Sequence, residues 1–474
     1  MVFLLILFTK RKYRKCNTSM NKKLFSISSF FLTLSVLLFF YIAYKSQISH
    51  QGNNNVYYLK YFIADCVFVI LSLISYKVHN ELKKKILVVF TSCILSLYMC
   101  EFLYDFINEH QIQKNYLQKN GRKFDLRSRK QVFDERRKID PSIVLNISPY
   151  NHIKNNKLKI LPLSGISKSK TLHCNELGYF SFFKTDRYGF NNPDEEWDKK
   201  EIEYLLVGDS MVHGACVFEP QSISGNLRAM LTNTNNSVIN IGQSGNGPLL
   251  EYATYREYSQ IKNKIKNILW FYYEGNDIEN LHNELKNNIL KKYLESNLYN
   301  QNLKQRQNEV DTLNQEVFKK SIIKLNTSKK KYYREKLYKF IKLTNLRLLT
   351  FEKNNYKNSF YKKNAEIPKE FKDILKKVKK NADMINANVY FVYLPNTERY
   401  TQNKESDNDF KNYNEVLEIV SSLGIEILDI KKKVFDKSKN PINLYSSPIF
   451  YHYTEEGYYL IAKKIKEIID LKNK

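Results

Sequence analysis

Twenty-one consecutive residues, Leu24 to Tyr44, carry no charged side chain and are dominated by Leu, Phe and Ile. At about 1.5 Å rise per residue, a helix of that length spans the hydrocarbon core of a bilayer. A cleaved signal peptide fits less well, because the run is too long and no small-residue cleavage site follows it. Two further stretches read as spans. Tyr57 to Tyr76 is interrupted by Lys60 and Asp65, and Ile86 to Tyr104 carries its single charge, Glu101, near one end. The sequence therefore predicts a membrane region over residues 1–107 with three helices, at 24–44, 57–76 and 86–104.

Basic residues beside the short connections set the orientation. Lys10, Arg11, Lys12, Arg14, Lys15, Lys22 and Lys23 precede the first span, Lys45 alone lies between the first two, and Lys77, Lys83, Lys84 and Lys85 lie between the second and third. This places the N-terminus in the cytoplasm and everything after Tyr104 outside, so the expected location is a cytoplasmic membrane with the large C-terminal part on its outer side. One span gives the same answer as three. The basic stretch Arg122 to Lys130 opposes this orientation, but long domains translocate largely regardless of charge.

The remainder is long enough for a substantial core, and a hydrophobic content of 43% in 474 residues excludes a wholly disordered chain. The formal charge of +28 raises nucleic acid as a partner. However, the basic residues are dispersed among Asn, Ile and Tyr, whose codons are AT-rich, and no recognition motif is present, so nucleic acid is not expected. The six cysteines form no CxxC pair and have no metal-like spacing with histidine, so no metal site is expected. Cys66, Cys93 and Cys100 sit in apolar stretches as small hydrophobes. In the soluble part only Cys174 and Cys216 can bridge; sequence does not show the Cα approach that a bridge needs, and free thiols are the favoured reading.

From about Glu201 short apolar runs alternate with helical spacing. Tyr204–Val207, Val238–Asn240, Ile268–Tyr272, Val389–Leu394 and Ile425–Leu428 read as strands, while Gln221–Leu231, Leu249–Lys262, Pro368–Ala387 and Thr454–Leu471 read as helices, the last capped by Thr454. Such alternation implies right-handed crossovers and a parallel sheet covered on both faces. The expected fold is α/β, a flavodoxin-like parallel sheet flanked by helices and preceded by transmembrane helices. Residues 108–200 form a connecting region with some strand and turn character. The α/β domain covers 201–474 and contains a mostly helical insertion at about 279–367, either a lid or partner-binding arm or a solvated decoration.

Chemistry in a parallel sheet collects at the carboxyl ends of strands. The first strand closes with Gly208-Asp209-Ser210, placing a serine at a strand-to-helix turn where its N–H can face a developing oxyanion. The second runs into the glycine-rich loop Gly242 to Gly247, the third ends in Gly275-Asn276-Asp277, and Tyr451-His452-Tyr453 precedes the closing helix and supplies a general base. Ser210 alone has a plain alternative as a helix cap, His452 as a packed surface histidine, and Gly245 as a turn residue. His213 is read as structural, and Arg187 to Asn191 as an ordered turn.

In this order and on these elements, the residues resemble the SGNH or GDSL hydrolase family, whose Ser, Gly, Asn and His come from four successive blocks; here they are Ser210, Gly245, Asn276 and His452. The strings VGDSMVHGACV, NIGQSGNGPLLE, WFYYEGND and YHYTEEGYYLIA are similar to a bacterial membrane-anchored branch found with cell-envelope polysaccharide genes. The resemblance implies a serine esterase acting on O-acyl esters, above all O-acetyl esters, of envelope or exported glycans. Ser210 would be nucleophile and His452 base; Ser210, Gly245 and Asn276 would form the oxyanion hole, with no cofactor or metal. Two positions depart from the pattern. Glu274 replaces the first Gly of the third block, and Ile449 stands where the triad aspartate belongs, three residues before His452. Without a carboxylate the expectation is a Ser-His dyad oriented by a backbone carbonyl, with Asp429 and Asp436 as less favoured partners. The alternatives are an O-acyltransferase and a non-catalytic glycan-binding or assembly protein.

Overall fold

A computed structural model describes residues 19–49, 55–121, 123–231, 235–260, 264–350, 365–400, 410, 412–446 and 452–472. The chain separates into two compact units. The first holds residues 1–107 together with 338–351, and the second holds 108–337 together with 352–474.

In the first unit, α1 (Ser19–Ala43), α2 (Asn55–Ser75) and α3 (Asn80–Asn120) contain windows long and apolar enough to cross a membrane, at Ser28–Ile48, Tyr58–Ser75 and Glu81–Asn108. Their exposed faces carry Phe, Leu, Ile and Val, as a lipid-facing surface requires. The predicted spans at 24–44, 57–76 and 86–104 overlap these windows. The first window is shifted by four residues, the second is one residue shorter at each end, and the third extends beyond both predicted ends, because hydropathy alone does not locate where a helix begins.

The second unit opens with α4 (Arg129–Ile139), capped by Ser128, and a small sheet of β1 (Val144–Leu145), β2 (Lys170–Leu172) and β3 (Phe182–Lys184). Strands β2 and β3 pair antiparallel, so residues 173–181 form a hairpin loop, closed by His173 N–H donating to Ser181 O and Ser181 N–H to Cys174 O. The main sheet follows, with strands β4 (Glu201–Val207), β5 (Asn236–Asn240), β6 (Lys264–Tyr273), β7 (Asn388–Leu394) and β8 (Glu426–Asp429) in the order β5-β4-β6-β7-β8, all parallel. Numbered within the sheet this is 2-1-3-4-5, the flavodoxin-like order.

Successive residues of a strand face opposite sides, and a sheet covered on both sides reads as an unbroken apolar run. Ile268, Trp270 and Tyr272 of β6 and Val389, Phe391 and Tyr393 of β7 enter one core, while Leu269, Phe271, Tyr273, Tyr390, Val392 and Leu394 enter the other. In β4 the alternation skips a residue: Ile202 and Leu205 face one side and Tyr204 and Leu206 the other, because the register shifts between Ile202 and Tyr204. The first core is covered by α7 (Pro248–Tyr258), α12 (Lys369–Met384) and α13 (Asn412–Ser422), and the second by α6 (Ile223–Met230) and α14 (Glu455–Lys472). Before α6 comes the one-turn α5 (Ser210–His213). Between β6 and α12 the described residues form α8 (Asp277–Glu284), α9 (Asn288–Glu295), the long α10 (Gln307–Ile341) and α11 (Thr344–Thr350), and residues 338–351 group with the first unit.

Candidate active site

The crevice of a 2-1-3-4-5 sheet lies outside the carboxyl end of the strand that is first in chain order, where the chain leaves β4 for β5 and then crosses to β6. Ser210 lies there. Gly208 is needed at this turn, since a Cβ would meet Val212 Cγ2 at 2.4 Å and Phe271 Cβ at 3.1 Å. The N-cap of α5 is Asp209, whose carboxylate accepts from Met211 N–H at 2.8 Å. The capping role is thus taken by the neighbour, and the Ser210 hydroxyl is left for another partner.

That partner is His452. Its Nε2 lies 2.9 Å from Ser210 Oγ, and its Nδ1 lies 2.8 Å from Glu176 Oε1. With a carboxylate at Nδ1, the proton sits on Nδ1, and Nε2 accepts from the Ser210 hydroxyl. The Glu176 Oε2 accepts from Ser446 Oγ at 2.9 Å. Burial pushes the His452 imidazole down, but the charge and hydrogen bond of Glu176, with the charge of Asp209, outweigh it and hold His452 above its ordinary value. Burial raises Glu176 in turn, and His452 and Ser446 bring it below the ordinary carboxylate range.

Glu176 corrects the expected dyad. This carboxylate comes from the tip of the β2–β3 hairpin, 34 residues before Ser210, in the stretch read as a connecting region. Asp429 and Asp436 are occupied elsewhere: Asp429 accepts from Tyr413 Oη and from Lys432 N–H at 3.0 Å, and Asp436 from Tyr400 Oη at 2.8 Å and Lys431 Nζ at 2.9 Å. A backbone carbonyl as orienting group is likewise replaced by the carboxylate. Ile449 and Tyr451 lie outside the described residues.

The hairpin that carries Glu176 is fastened by a disulfide between Cys174 and Cys216, whose Cα atoms are 4.9 Å apart. This corrects the expectation of free thiols there. One end of the bridge is two residues from Glu176 and the other is six from Ser210. The hairpin is also held by Tyr179, which donates to Glu455 at 2.7 Å and stacks on Phe218 at 5.2 Å between ring centroids. Glu176, Cys216 and His452 have metal-type donor atoms within 4.8 Å of one another. The Cys216 sulfur is bonded to Cys174, however, so the set has no thiolate to offer a metal.

Gly245 has φ +82°, and a side chain there would also crowd Tyr150 Cβ at 3.1 Å. This backbone conformation, open to glycine at little cost, shapes the loop after β5. Asn276 is the N-cap residue of α8, yet its side chain makes no capping hydrogen bond, so the helix does not consume it. His213 is fully buried, its Nδ1 3.0 Å from Ser244 Oγ, and it packs on His173 at 4.8 Å between ring centroids. Burial, reinforced by the charge of His452, pushes it down to about 3, which keeps it neutral.

Glu274 is explained by its contacts. Its carboxylate receives Arg399 Nε at 2.6 Å, Arg399 Nη2 at 2.7 Å and Asn396 N–H at 2.6 Å, fixing the loop that carries Asn276 to the end of β7. Behind the site Asp209, Glu251, Asp277 and Glu284 are all buried. Burial raises Asp209 to about 6 and Glu284 to about 7, and raises Glu251 and Asp277 well above the carboxylate range with the help of their mutual charges.

No model of a known protein family matches the chain, and no curated protein does. Among solved structures, the chain is similar to a member of the lipolytic protein G-D-S-L family from Veillonella parvula, at 14% identity and a TM-score of 0.27 over 56% of this chain and 97% of that one. It is also similar to an acetylxylan esterase from Geobacillus stearothermophilus, at 11% identity and a TM-score of 0.28 over 56% and 93%. The strand order and register, rather than these values, carry the fold assignment.

Proposed function

We propose that the protein is a membrane-anchored serine esterase that hydrolyses O-acyl esters, O-acetyl esters foremost, on envelope or exported glycans. The observation that carries this reading is the unbroken hydrogen-bonded chain Ser210–His452–Glu176. A serine aligned on an imidazole that is itself held by a buried carboxylate is the arrangement that activates a hydroxyl for acyl transfer.

In the reaction, His452 Nε2 takes the Ser210 proton as Oγ attacks the ester carbonyl. The imidazolium so formed is stabilised by Glu176, and the oxyanion by the N–H groups of Ser210 and Gly245 and the Asn276 amide. The tetrahedral species collapses, His452 returns the proton to the departing sugar oxygen, and an acyl-serine remains. Water then attacks the acyl carbon with His452 again as base, releasing the acid and restoring the hydroxyl. No cofactor is needed for these steps.

The outer-side placement is supported by the lysine distribution around the spans and by the Cys174–Cys216 bridge, since structural disulfides persist in oxidising compartments and are rare in the cytosol. Release of acid from a chromogenic acetyl ester by the purified protein, compared with its Ser210→Ala variant, tests the reading. Activity abolished by the substitution is the expected result, and equal rates in the two proteins would overturn it.

A further inference from the structure

A cavity of about 420 Å³ lies within the first unit, at the end of the membrane helices where α1 leaves for α2. Lys45, from the π-helical turn that extends α1, lines it together with Lys342 and Arg347 from the returning segment 338–351. Tyr41, Tyr58 and Tyr61 form further wall, and Leu38, Ile42 and Phe68 line it with apolar surface. Among the described residues one carboxylate, Asp65, also faces it, so the described lining holds three cations and one anion. Asp65 is 2% exposed; one oxygen accepts from Ser35 Oγ at 3.0 Å, and Oδ2 has no hydrogen-bond partner among the described residues.

The returning segment is built into place. The Glu101 carboxylate, 1% exposed on α3, accepts from Asn345 N–H and Leu346 N–H, both at 2.9 Å, at the start of α11, and Asp105 accepts from Asn345 Nδ2 at 2.7 Å. An acidic pair inside a membrane span thus serves to hold the segment that delivers Lys342 and Arg347. Arg347 lies 6.0 Å over the Tyr61 ring, and Lys342 is 4.1 Å from the Tyr338 ring centroid. Ionisable residues in membrane spans are costly and mark functional positions.

We propose that this cavity is a binding site for the phosphate-bearing headgroup of an anionic membrane lipid, with the three cations on the phosphate and the apolar wall against the first carbons of the lipid chains. Excess positive charge selects an anion. The position among membrane helices and the aliphatic and aromatic wall select a lipid-borne phosphate over a free one, and tyrosines at headgroup level are the usual companions of such a site.

The test uses the full-length protein, delipidated in mild detergent and exposed to phosphatidylglycerol, phosphatidylcholine or inorganic phosphate, with bound molecules counted by native mass spectrometry. Preferential retention of phosphatidylglycerol is expected, with a loss on the order of fivefold for each cation removed in Lys342→Gln and Arg347→Gln. Equal retention of both lipids by the wild-type protein would overturn the proposal, as would a preference unchanged in both variants. Displacement of the lipid by equimolar inorganic phosphate would overturn the lipid source. If the variants do not fold, photoactivatable phosphatidylglycerol on the wild-type protein decides: labelling of peptides holding Tyr41, Tyr58 or Tyr61 supports the site, and labelling confined elsewhere overturns it.

Discussion

Glu176→Gln removes one charge from the candidate triad while keeping its shape. The structure lets the consequence be worked out atom by atom. Nδ1–H of His452 donates to one Glu176 oxygen and the Ser446 hydroxyl donates to the other. A glutamine can keep its oxygen toward His452 and turn its NH₂ toward Ser446, whose hydroxyl rotates to accept. The tautomer therefore survives and the loss is mainly electrostatic: a side chain 14% exposed no longer stabilises the imidazolium formed in the transition state. In a well-studied serine triad, where the corresponding amide also imposes the wrong tautomer, the loss is about four decades. With the tautomer preserved, the expected fall in kcat is about two to four decades, or roughly 3–5 kcal/mol of barrier.

The pH profile separates this from a merely structural effect. His452 must be neutral to act as base, so the acidic limb of kcat/KM lies above the ordinary histidine value of 6.5 in the wild-type protein. Without the carboxylate, burial dominates and the limb moves to lower pH. The assay is initial rate on a chromogenic acetyl ester across the pH range, with unfolding followed in parallel. A variant that keeps wild-type kcat and an unmoved limb would refute the assignment of Glu176 as the orienting acid.

Asn276→Ala, if the amide stabilises the oxyanion, lowers kcat by about 10²–10³ with little change in stability, read from steady-state kinetics and thermal unfolding. Replacing both Cys174 and Cys216 by Ala removes a bridge across a sequence separation of 42, which chain-entropy reasoning values at about 4 kcal/mol; denaturant unfolding should show that loss, and turnover should fall with it as the Glu176 hairpin loosens. Glu251 is held protonated well above the ordinary 4.5, so the folded state binds more protons than the unfolded one, and its contribution to stability is lost as pH rises from 4.5 through the folded value. Glu251→Gln should flatten that decline in unfolding free energy measured at a series of pH values; an unchanged slope would remove Glu251 from the account.

The sheet was legible because each buried parallel strand is an apolar run bounded by turn residues, and Tyr204–Val207, Ile268–Tyr272 and Val389–Leu394 all lie within observed strands. Ser210, Gly245, Asn276 and His452 could be singled out because each sits beside a strand end or the closing helix, and the structure brings Ser210 and His452 within hydrogen-bond distance. Glu176 was not. Its hydrogen bond to His452 spans 276 residues, and nothing periodic marks a carboxylate in a hairpin loop. The nearest signal was its spacing from Cys174, but a cysteine pair declares itself only through the Cα approach that folding creates. Glu274 illustrates the opposite case: it broke the expected pattern visibly, and its reason, the ion pair with Arg399 across the strand ends, appears only in three dimensions.

The hairpin origin of Glu176 bears on where the chain can be cut. A fragment trimmed to begin at the first strand of the main sheet would keep Ser210, His452 and all five strands of that sheet, but it would lose Ile160, Leu161, Leu163, Phe190 and Trp197 from the core on one of its faces. It would also lose Glu176 and Cys174, and on the proposed reading it would retain only the Ser210–His452 pair. Core packing and the proposed chemistry therefore ask for the same border, and any excised version must retain the small sheet that precedes the large one.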